Sequence, residues 1–412
     1  MAERVRFTEA FESLQNRNYR LFLIGSTASN LGEWAQRIGQ AWLVLELSDS
    51  AVLLGITAAL QAAPMVLIGP RAGLSADRMN KLTVLMRTQA ASGLLAAALG
   101  ILTLLGTINI AGVLFFATAL GAVKAFDQPA RQGLILELVG TRRLVNAVTL
   151  NNISFNVAKS IGPAVAGLII SVFGIGPSFL FNAATYVALI VALARMDRSA
   201  IDFPPTVDRA PQQLREGLRY VRRTPVLAAT MALMTVVGML GFEQQVLLPI
   251  FAWDVFAGDA STLGAMFTAM GIGAIVGGLV VAGRLRTHAR ALLLSSTSFA
   301  VVFAAHAAAT DVFVAYALLF LLGAATTVLR ALGQSILLSN ARADMRGRVA
   351  SLLSVAFLGT TLVGGPLIGW LTELLGVRWI FVLVGLAILV AAVAAFARLR
   401  NELMDEPEPA AA

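Results

Sequence analysis

Apolar residues fall into twelve long runs separated by short polar, charge-bearing segments. The runs lie at about 20–46, 51–71, 83–105, 109–136, 145–172, 176–195, 226–251, 261–283, 290–309, 312–338, 347–372 and 376–398. An α-helix needs about 20 residues to cross a bilayer, and longer runs suit tilted or kinked helices. The runs are continuously apolar rather than alternating, which argues against a membrane β-barrel. The pattern predicts an all-α integral membrane protein of twelve transmembrane helices.

The polar segments between the runs set the orientation. With the N-terminus placed inside, 25 of the 31 Lys and Arg fall on inside segments or the inside ends of runs and only Arg378 falls at an outside end; the other five, Arg37, Lys124, Arg131, Lys159 and Arg330, lie deeper within the runs. This asymmetry follows the positive-inside rule. It predicts a multi-pass protein of the cytoplasmic membrane with both termini in the cytoplasm. Residues 1–18 mix Arg4, Arg6 and Arg17 with Glu3, Glu9 and Glu12. No cleavable leader is read there, and the first run serves as the insertion signal.

The longest inside segment divides the chain. It carries Pro204, Pro205 and Pro211, then Leu214, Leu218 and Val221 on one face with Arg215, Arg219, Arg222 and Arg223 around them. That is the pattern of a short amphipathic helix at the inner membrane surface. Three parts follow: an N-terminal six-helix bundle (1–197), a cytoplasmic linker (198–224) and a C-terminal six-helix bundle (225–412). The bundles read as weak repeats. Leu31-Gly32 recurs as Leu240-Gly241, Leu54-Gly55 as Leu263-Gly264, and Gly162-Pro163 as Gly365-Pro366. Two pseudo-symmetric bundles around a central cavity is the general plan of alternating-access transporters.

Composition narrows the chemistry. The chain is 58% hydrophobic and 13% charged, with a mean hydropathy of +0.80. A soluble enzyme or a disordered chain is excluded, because soluble folds keep a largely polar exterior. There is no cysteine and there are two histidines, His288 and His306. Thiol chemistry and iron–sulfur clusters are therefore out, and a histidine-rich metal site is not expected. No phosphate-cradling loop and no nucleophile–base constellation stands out, so neither an enzyme nor a primary pump is expected, and no cofactor. The net charge of +8 is absorbed by topology and does not call for nucleic acid.

Three local patterns carry mechanism. Residues 73–81 read Gly73-Leu-Ser-Ala-Asp77-Arg78-Met-Asn80-Lys81 in the segment between the second and third runs. A small residue at Gly73 would let helices approach, and Asp77 could cap a helix or pair with arginine to latch the inner face. The fifth run carries Gly162-Pro163-Ala-Val-Ala-Gly167, and the eleventh Gly364-Gly365-Pro366-Leu-Ile-Gly369. Here glycines permit close contact and proline kinks the helix. Trp42-Leu-Val-Leu-Glu-Leu-Ser, Phe126-Asp127-Gln-Pro129-Ala130-Arg131 and Met345-Arg-Gly-Arg348-Val add to these.

The first pattern resembles the G-x-x-x-D-R-x-G-[RK] signature of the major facilitator superfamily, with Asn80 in place of the usual glycine. The second resembles the G-P-x-x-x-G signature of that superfamily's antiporters. Together with the other pieces, over most of residues 15–400, the sequence is similar to the enterobactin-exporter and macrolide-efflux branch of drug:proton antiporters. The resemblance implies the major facilitator fold and proton-coupled export of small amphipathic molecules such as drugs or siderophores. Protons, substrate and membrane lipid are then the partners, for a monomer. A lysophospholipid flippase or a small-molecule importer on the same fold is the alternative.

Ionisable groups inside membrane spans are costly and mark candidate sites. The first run places Ser26, Asn30, Glu33, Arg37 and Gln40 on one helical face, with Trp34 beside them. Glu33 and Arg37 are four residues apart and could neutralise each other. The fifth run places Asn152, Asn156 and Lys159 on one face with Phe155 alongside, and the fourth carries Lys124, Asp127 and Arg131. Arg330 in the tenth run is 203 residues from Asp127, a nearly equivalent position in the second half. The seventh run contributes Phe242, Glu243 and Gln244, and Phe357 lies in the eleventh. Glu33, Asp127 and Glu243 are the acids expected to carry protons, with Arg37 and Arg330 tuning them. Asn30, Trp34, Gln40, Asn152, Asn156, Lys159, Phe242 and Gln244 are expected to meet substrate. Gly73, Asp77, Arg78, Lys81, Gly162, Pro163, Gly167, Gly365 and Pro366 are expected to act in gating.

Overall fold

The computed structural model describes residues 11–201, 213–284 and 289–403, and among them every regular element is a helix. In chain order these are α1 (Arg17–Ser48), α2 (Ala51–Leu67), α3 (Gly69–Arg78), α4 (Lys81–Leu104), α5 (Ile110–Phe173), α6 (Ile175–Ala194) and α7 (Gln213–Arg223). There follow α8 (Pro225–Val236), α9 (Gln244–Ile250), α10 (Ala260–Arg284), α11 (Ala289–Ala305), α12 (Val312–Ser339), α13 (Arg346–Leu375) and α14 (Val377–Leu403).

Short polar residues start several of the helices. The side chains of Asn16, Asn80, Asn109 and Asp311 accept hydrogen bonds from the backbone N–H groups of Tyr19, Thr83, Gly112 and Phe313 at 2.7–3.1 Å. Each satisfies a donor that the helix leaves unpaired, worth about 1 kcal/mol. This gives Asn80 a reason of its own: where the related signature has glycine, this chain has the N-cap of α4.

Nine helical stretches among the described residues are long and apolar enough to cross a membrane. Helix α1 is not one of them despite its 32 residues, because the polar face from Ser26 to Gln40 lowers its hydropathy. Helix α2 is apolar but has only 17 residues. Helix α5 runs for 64 residues where the sequence predicts two spans and a loop. It is broken only at Gly140, whose φ of 65° and ψ of 178° form a conformation open essentially to glycine. The segment after α2, expected as a loop, is helical through Arg78. Ser75 donates to the Arg71 carbonyl at 3.0 Å one turn back, and no proline interrupts the backbone after Pro70 until Asn80 caps the next helix.

The seventh run is also discontinuous. Helix α8 passes into a π-helical turn (Val237–Gly241), breaks at Phe242 and Glu243, resumes as α9 and ends in a second π-turn (Phe251–Val255). π-Turns inside helices are frequent at functional sites.

The chain forms two compact units. Unit 1 comprises Met1–Asp49, Leu60–Asp208 and Gly258–Thr268, and unit 2 comprises Ser50–Ala59, Arg209–Ala257 and Ala269–Ala412. The partition is not strictly sequential, since residues 50–59 group with the second unit and 258–268 with the first. At one end of unit 1, Tyr19, Phe22, Leu85, Leu134, Leu138, Leu150, Leu189 and Leu193 form a buried cluster, into which the Tyr19 hydroxyl donates to the Ala147 carbonyl at 2.7 Å. Nearby, the Asn18 side chain exchanges two hydrogen bonds with the Asp197 backbone. The Asp197 carboxylate accepts from the Ser199 hydroxyl and N–H, which hold it below the usual carboxylate range. In unit 2, Phe251, Phe303 and Phe381 surround His306, which is fully buried with Nδ1 2.8 Å from the Val302 carbonyl.

The amphipathic linker helix forms as α7 and docks within unit 2. Arg348 pairs with Glu216 at 2.8 Å, and the Arg342 N–H donates to the Tyr220 hydroxyl at 3.0 Å. Val221 is buried, while Leu218 is 43% exposed. Leu214, Arg215 and His288 lie outside the residues whose side chains are described.

Candidate functional site

The polar face of α1 meets α4, α5 and α6 inside unit 1. Lys124 of α5 is ion-paired with Glu33 of α1. Its Nζ also lies 4.0 Å from the Asp127 carboxylate one turn on, and 5.5 Å from the centroid of the Tyr186 ring. Asp127 is 1% exposed and fully engaged. Thr88 and Gln89 of α4 donate to Oδ1 at 2.8 and 2.6 Å, and Arg131 approaches Oδ2 at 3.2 Å. Arg131 in turn donates to Ser26 at 3.0 Å, and Ser29 donates to Gln89 at 3.1 Å. The charges therefore run Glu33, Lys124, Asp127, Arg131 in alternating sign, with hydroxyls and amides closing the ends. Such alternation is what permits four charges in a low-dielectric interior.

Arg37 does not form the Glu33 ion pair that its spacing suggested. Its guanidinium lies 4.6 Å over the Trp34 ring, and the Lys159 ammonium lies 5.4 Å from the same ring. The spacing put Arg37 within reach, but Lys124 of a different helix occupies the carboxylate. Phe155 meets Trp34 edge-on, with centroids 6.2 Å apart. Asn30 and Gln40 are buried, and the Gln40 amide nitrogen has no hydrogen-bond partner among the described residues. Asn152 and Asn156 are exposed on the next turns of α5.

In unit 2 the break at Phe242–Glu243 organises a second group. Glu243 is 3% exposed and hydrogen-bonded with Thr361 of α13. Gln244 turns back to donate to the Gly241 carbonyl at 2.6 Å. Phe242 packs against Phe357 and Phe299. The Arg330 guanidinium of α12 lies 5.4 and 5.2 Å from the rings of Phe242 and Phe357.

The glycine signatures sit where helices touch. A Cβ on Gly162 would lie 2.6 Å from the Trp34 Cβ and 2.8 Å from the Leu31 carbonyl, and one on Gly167 would meet the Ser261 backbone at 2.9 Å. The Pro163 carbonyl lies 2.5 Å from the place of a Cβ on Gly264. In unit 2, a Cβ on Gly365 would lie 2.9 Å from the Gly55 carbonyl, and the Pro366 Cα is 2.9 Å from the place of one on Gly55. Gly73 differs: among the described residues nothing lies within 4 Å of where its Cβ would be, so it does not serve the close helix contact read from sequence. Arg78 is exposed at the end of α3, and the Asp77 side chain lies outside the described ones. Lys81 reaches Glu137 at 2.7 Å.

Four participants escape the sequence reading as site residues. Thr88 and Gln89 are a polar pair that follows Arg87 near the start of the third run, which is a usable signal. Tyr186 carries none. Glu137 lies just past the end of the fourth run, yet it is 3% exposed and joins Asp127 and Glu243 as a third buried acid among the described residues.

The family described as transmembrane secretion effector matches residues 8–411. The chain is 29% identical over 263 residues to the staphyloferrin A transporter of Staphylococcus aureus, an alignment covering 64% of this chain and 66% of that one. It is 25% identical over 402 residues to the multidrug efflux pump Tap of Mycolicibacterium fortuitum, covering 94% and 98%. Its fold matches a solved bacterial homologue of the human lysosomal transporter Spinster, with a TM-score of 0.74 at 13% identity over 95% of this chain and 98% of that one.

Proposed function

The chain belongs to the transmembrane secretion effector family of major facilitator transporters, and on that premise we propose that it is a proton-coupled exporter of small amphipathic molecules such as drugs or siderophores. It works in the cytoplasmic membrane with both termini inside, exchanging protons for substrate by alternating access. Efflux and siderophore transport among the relatives support the substrate range.

The observation that carries the coupling is the position of Lys124 between two carboxylates, paired with Glu33 and 4.0 Å from Asp127. Glu33 keeps 16% side-chain exposure, against 2% for Asp127, so the proton enters at Glu33. Protonation removes the charge that holds Lys124. The ammonium then moves to Asp127, whose Oδ2 already faces it, and α1 is released from α5. Loss of the proton on the other side of the membrane restores the pair. Asp127 stays engaged by Arg131, Thr88 and Gln89 throughout. Lys81 and the glycine contacts govern how the helices move.

Reconstitution into proteoliposomes with an imposed pH gradient tests this reading. Substrate flux should follow the gradient and carry protons the opposite way, into the compartment that the substrate leaves, and Glu33→Gln should abolish the coupling. Robust flux with no response to the gradient would overturn the coupling. Uptake in place of export, or movement of lysophospholipid between leaflets, would support the importer or the flippase instead.

A further inference from the structure

Arg330 differs from the two cations that pair with Asp127 and Glu33. Lys124 and Arg131 answer carboxylates in unit 1, whereas Arg330 has no ion pair and no hydrogen bond among the described residues; its contacts are the faces of Phe242 and Phe357. The acid of its own unit, Glu243, is turned to Thr361. Arg330 is nevertheless exposed in the middle of an apolar run.

The surroundings hold this arrangement in place. Phe242 sits at the break after the π-turn, with φ −102° and ψ 10°, which takes its ring off the α8 face. Its centroid is 5.7 Å from that of Phe357. The Phe357 ring lies in turn against Gly238, where a Cβ would come within 2.9 Å of it. A guanidinium lying on aromatic faces is fixed in orientation, yet its in-plane N–H donors remain free. The rings do not neutralise its charge. Those donors form a planar fork that matches a carboxylate in bidentate geometry.

We propose that Arg330 is the substrate-recognition residue of unit 2, taking a carboxylate on its fork while the apolar body of the same molecule packs on Phe242 and Phe357. The transported compounds therefore include amphipathic carboxylates. This assigns Arg330 to specificity rather than to proton tuning, and it rests on the transporter reading above.

The test measures binding of 1-pyrenebutyrate, its methyl ester and the cation ethidium to the purified full-length protein. The wild type should bind the acid about 10- to 100-fold more tightly than the ester, the range expected for hydrogen bonds to a charged group. Arg330→Gln should reduce that ratio to about one. Arg330→Lys, which keeps the charge but loses the fork, should fall between. Phe242→Leu should weaken acid and ester alike. An acid-to-ester ratio of one in the wild type, or an unchanged ratio in Arg330→Gln, overturns the proposal. Flux of ethidium separates this failure from that of the transporter reading: pH-driven ethidium export with no preference for the acid would leave the exporter standing without carboxylate recognition.

Discussion

The Lys124 ammonium is ion-paired with the Glu33 carboxylate and so ties α5 to α1 inside unit 1. Removing one partner strands the other charge. Lys124→Met should destabilise the protein by about 2 kcal/mol, less than a fully dry pair would cost, because the two side chains keep 20% and 16% exposure. Glu33→Gln combined with Lys124→Met should recover most of that loss. Thermal unfolding in detergent reads the cycle, and strictly additive losses would mean that the pair does not couple.

Asp127 should be the more sensitive acid for folding and Glu33 for transport. Asp127→Asn keeps an oxygen for Thr88 and Gln89 but leaves Arg131 facing a neutral group. It should lower the unfolding temperature more than Thr88→Val, which removes one hydrogen bond worth about 1 kcal/mol. Equal unfolding temperatures for Asp127→Asn and the wild type would show that charge is not what Asp127 contributes.

Much of this site is visible in the sequence because helical spacing and charge cost are local rules. Five polar residues from Ser26 to Gln40 had to share a face, and an acid at 127 inside an apolar run had to be answered. The identity of the answering group is not local. Arg37 lies at the right spacing from Glu33, but Lys124 holds the carboxylate from another helix, and only tertiary packing decides between them. The break at Phe242–Glu243 was hidden for a similar reason, since the run around it is apolar and contains no residue that forbids a helix there. Gly140 shows the converse: one glycine breaks the helix where the apolar pattern predicts a loop of several residues.

Two glycines of the signature segments should behave oppositely. Gly162→Ala drives a methyl group to 2.6 Å from the Trp34 Cβ and 2.8 Å from the Leu31 carbonyl. It should cost about 1–3 kcal/mol, as overpacking does, and should shift tryptophan fluorescence. Gly73→Ala sits in helix α3 with open space around its Cβ, and should be neutral or stabilising by up to about 1 kcal/mol. A loss of stability for Gly73→Ala matching that for Gly162→Ala would mean that Gly73 also meets a neighbouring helix.

Lys81 closes the signature segment by reaching Glu137 across unit 1 at 2.7 Å, where the Glu137 side chain is 1% exposed. No other partner among the described residues meets that carboxylate. Gly133, one turn before Glu137, makes room for the lysine stem: a Cβ there would fall 2.6 Å from the Lys81 Cδ and Cε. The pair therefore depends on charge and on a clear path. Lys81→Met should cost about 3–5 kcal/mol by leaving a buried carboxylate unanswered, and pairing it with Glu137→Gln should restore most of the loss. Gly133→Val should reproduce part of the Lys81→Met defect without touching a charge, because the branched side chain displaces the lysine stem. Lys81→Arg should retain the ion pair. Unfolding temperatures and pH-driven flux measured on the four variants separate the roles: Lys81→Arg matching Lys81→Met in both would show that the lysine's contribution is not electrostatic.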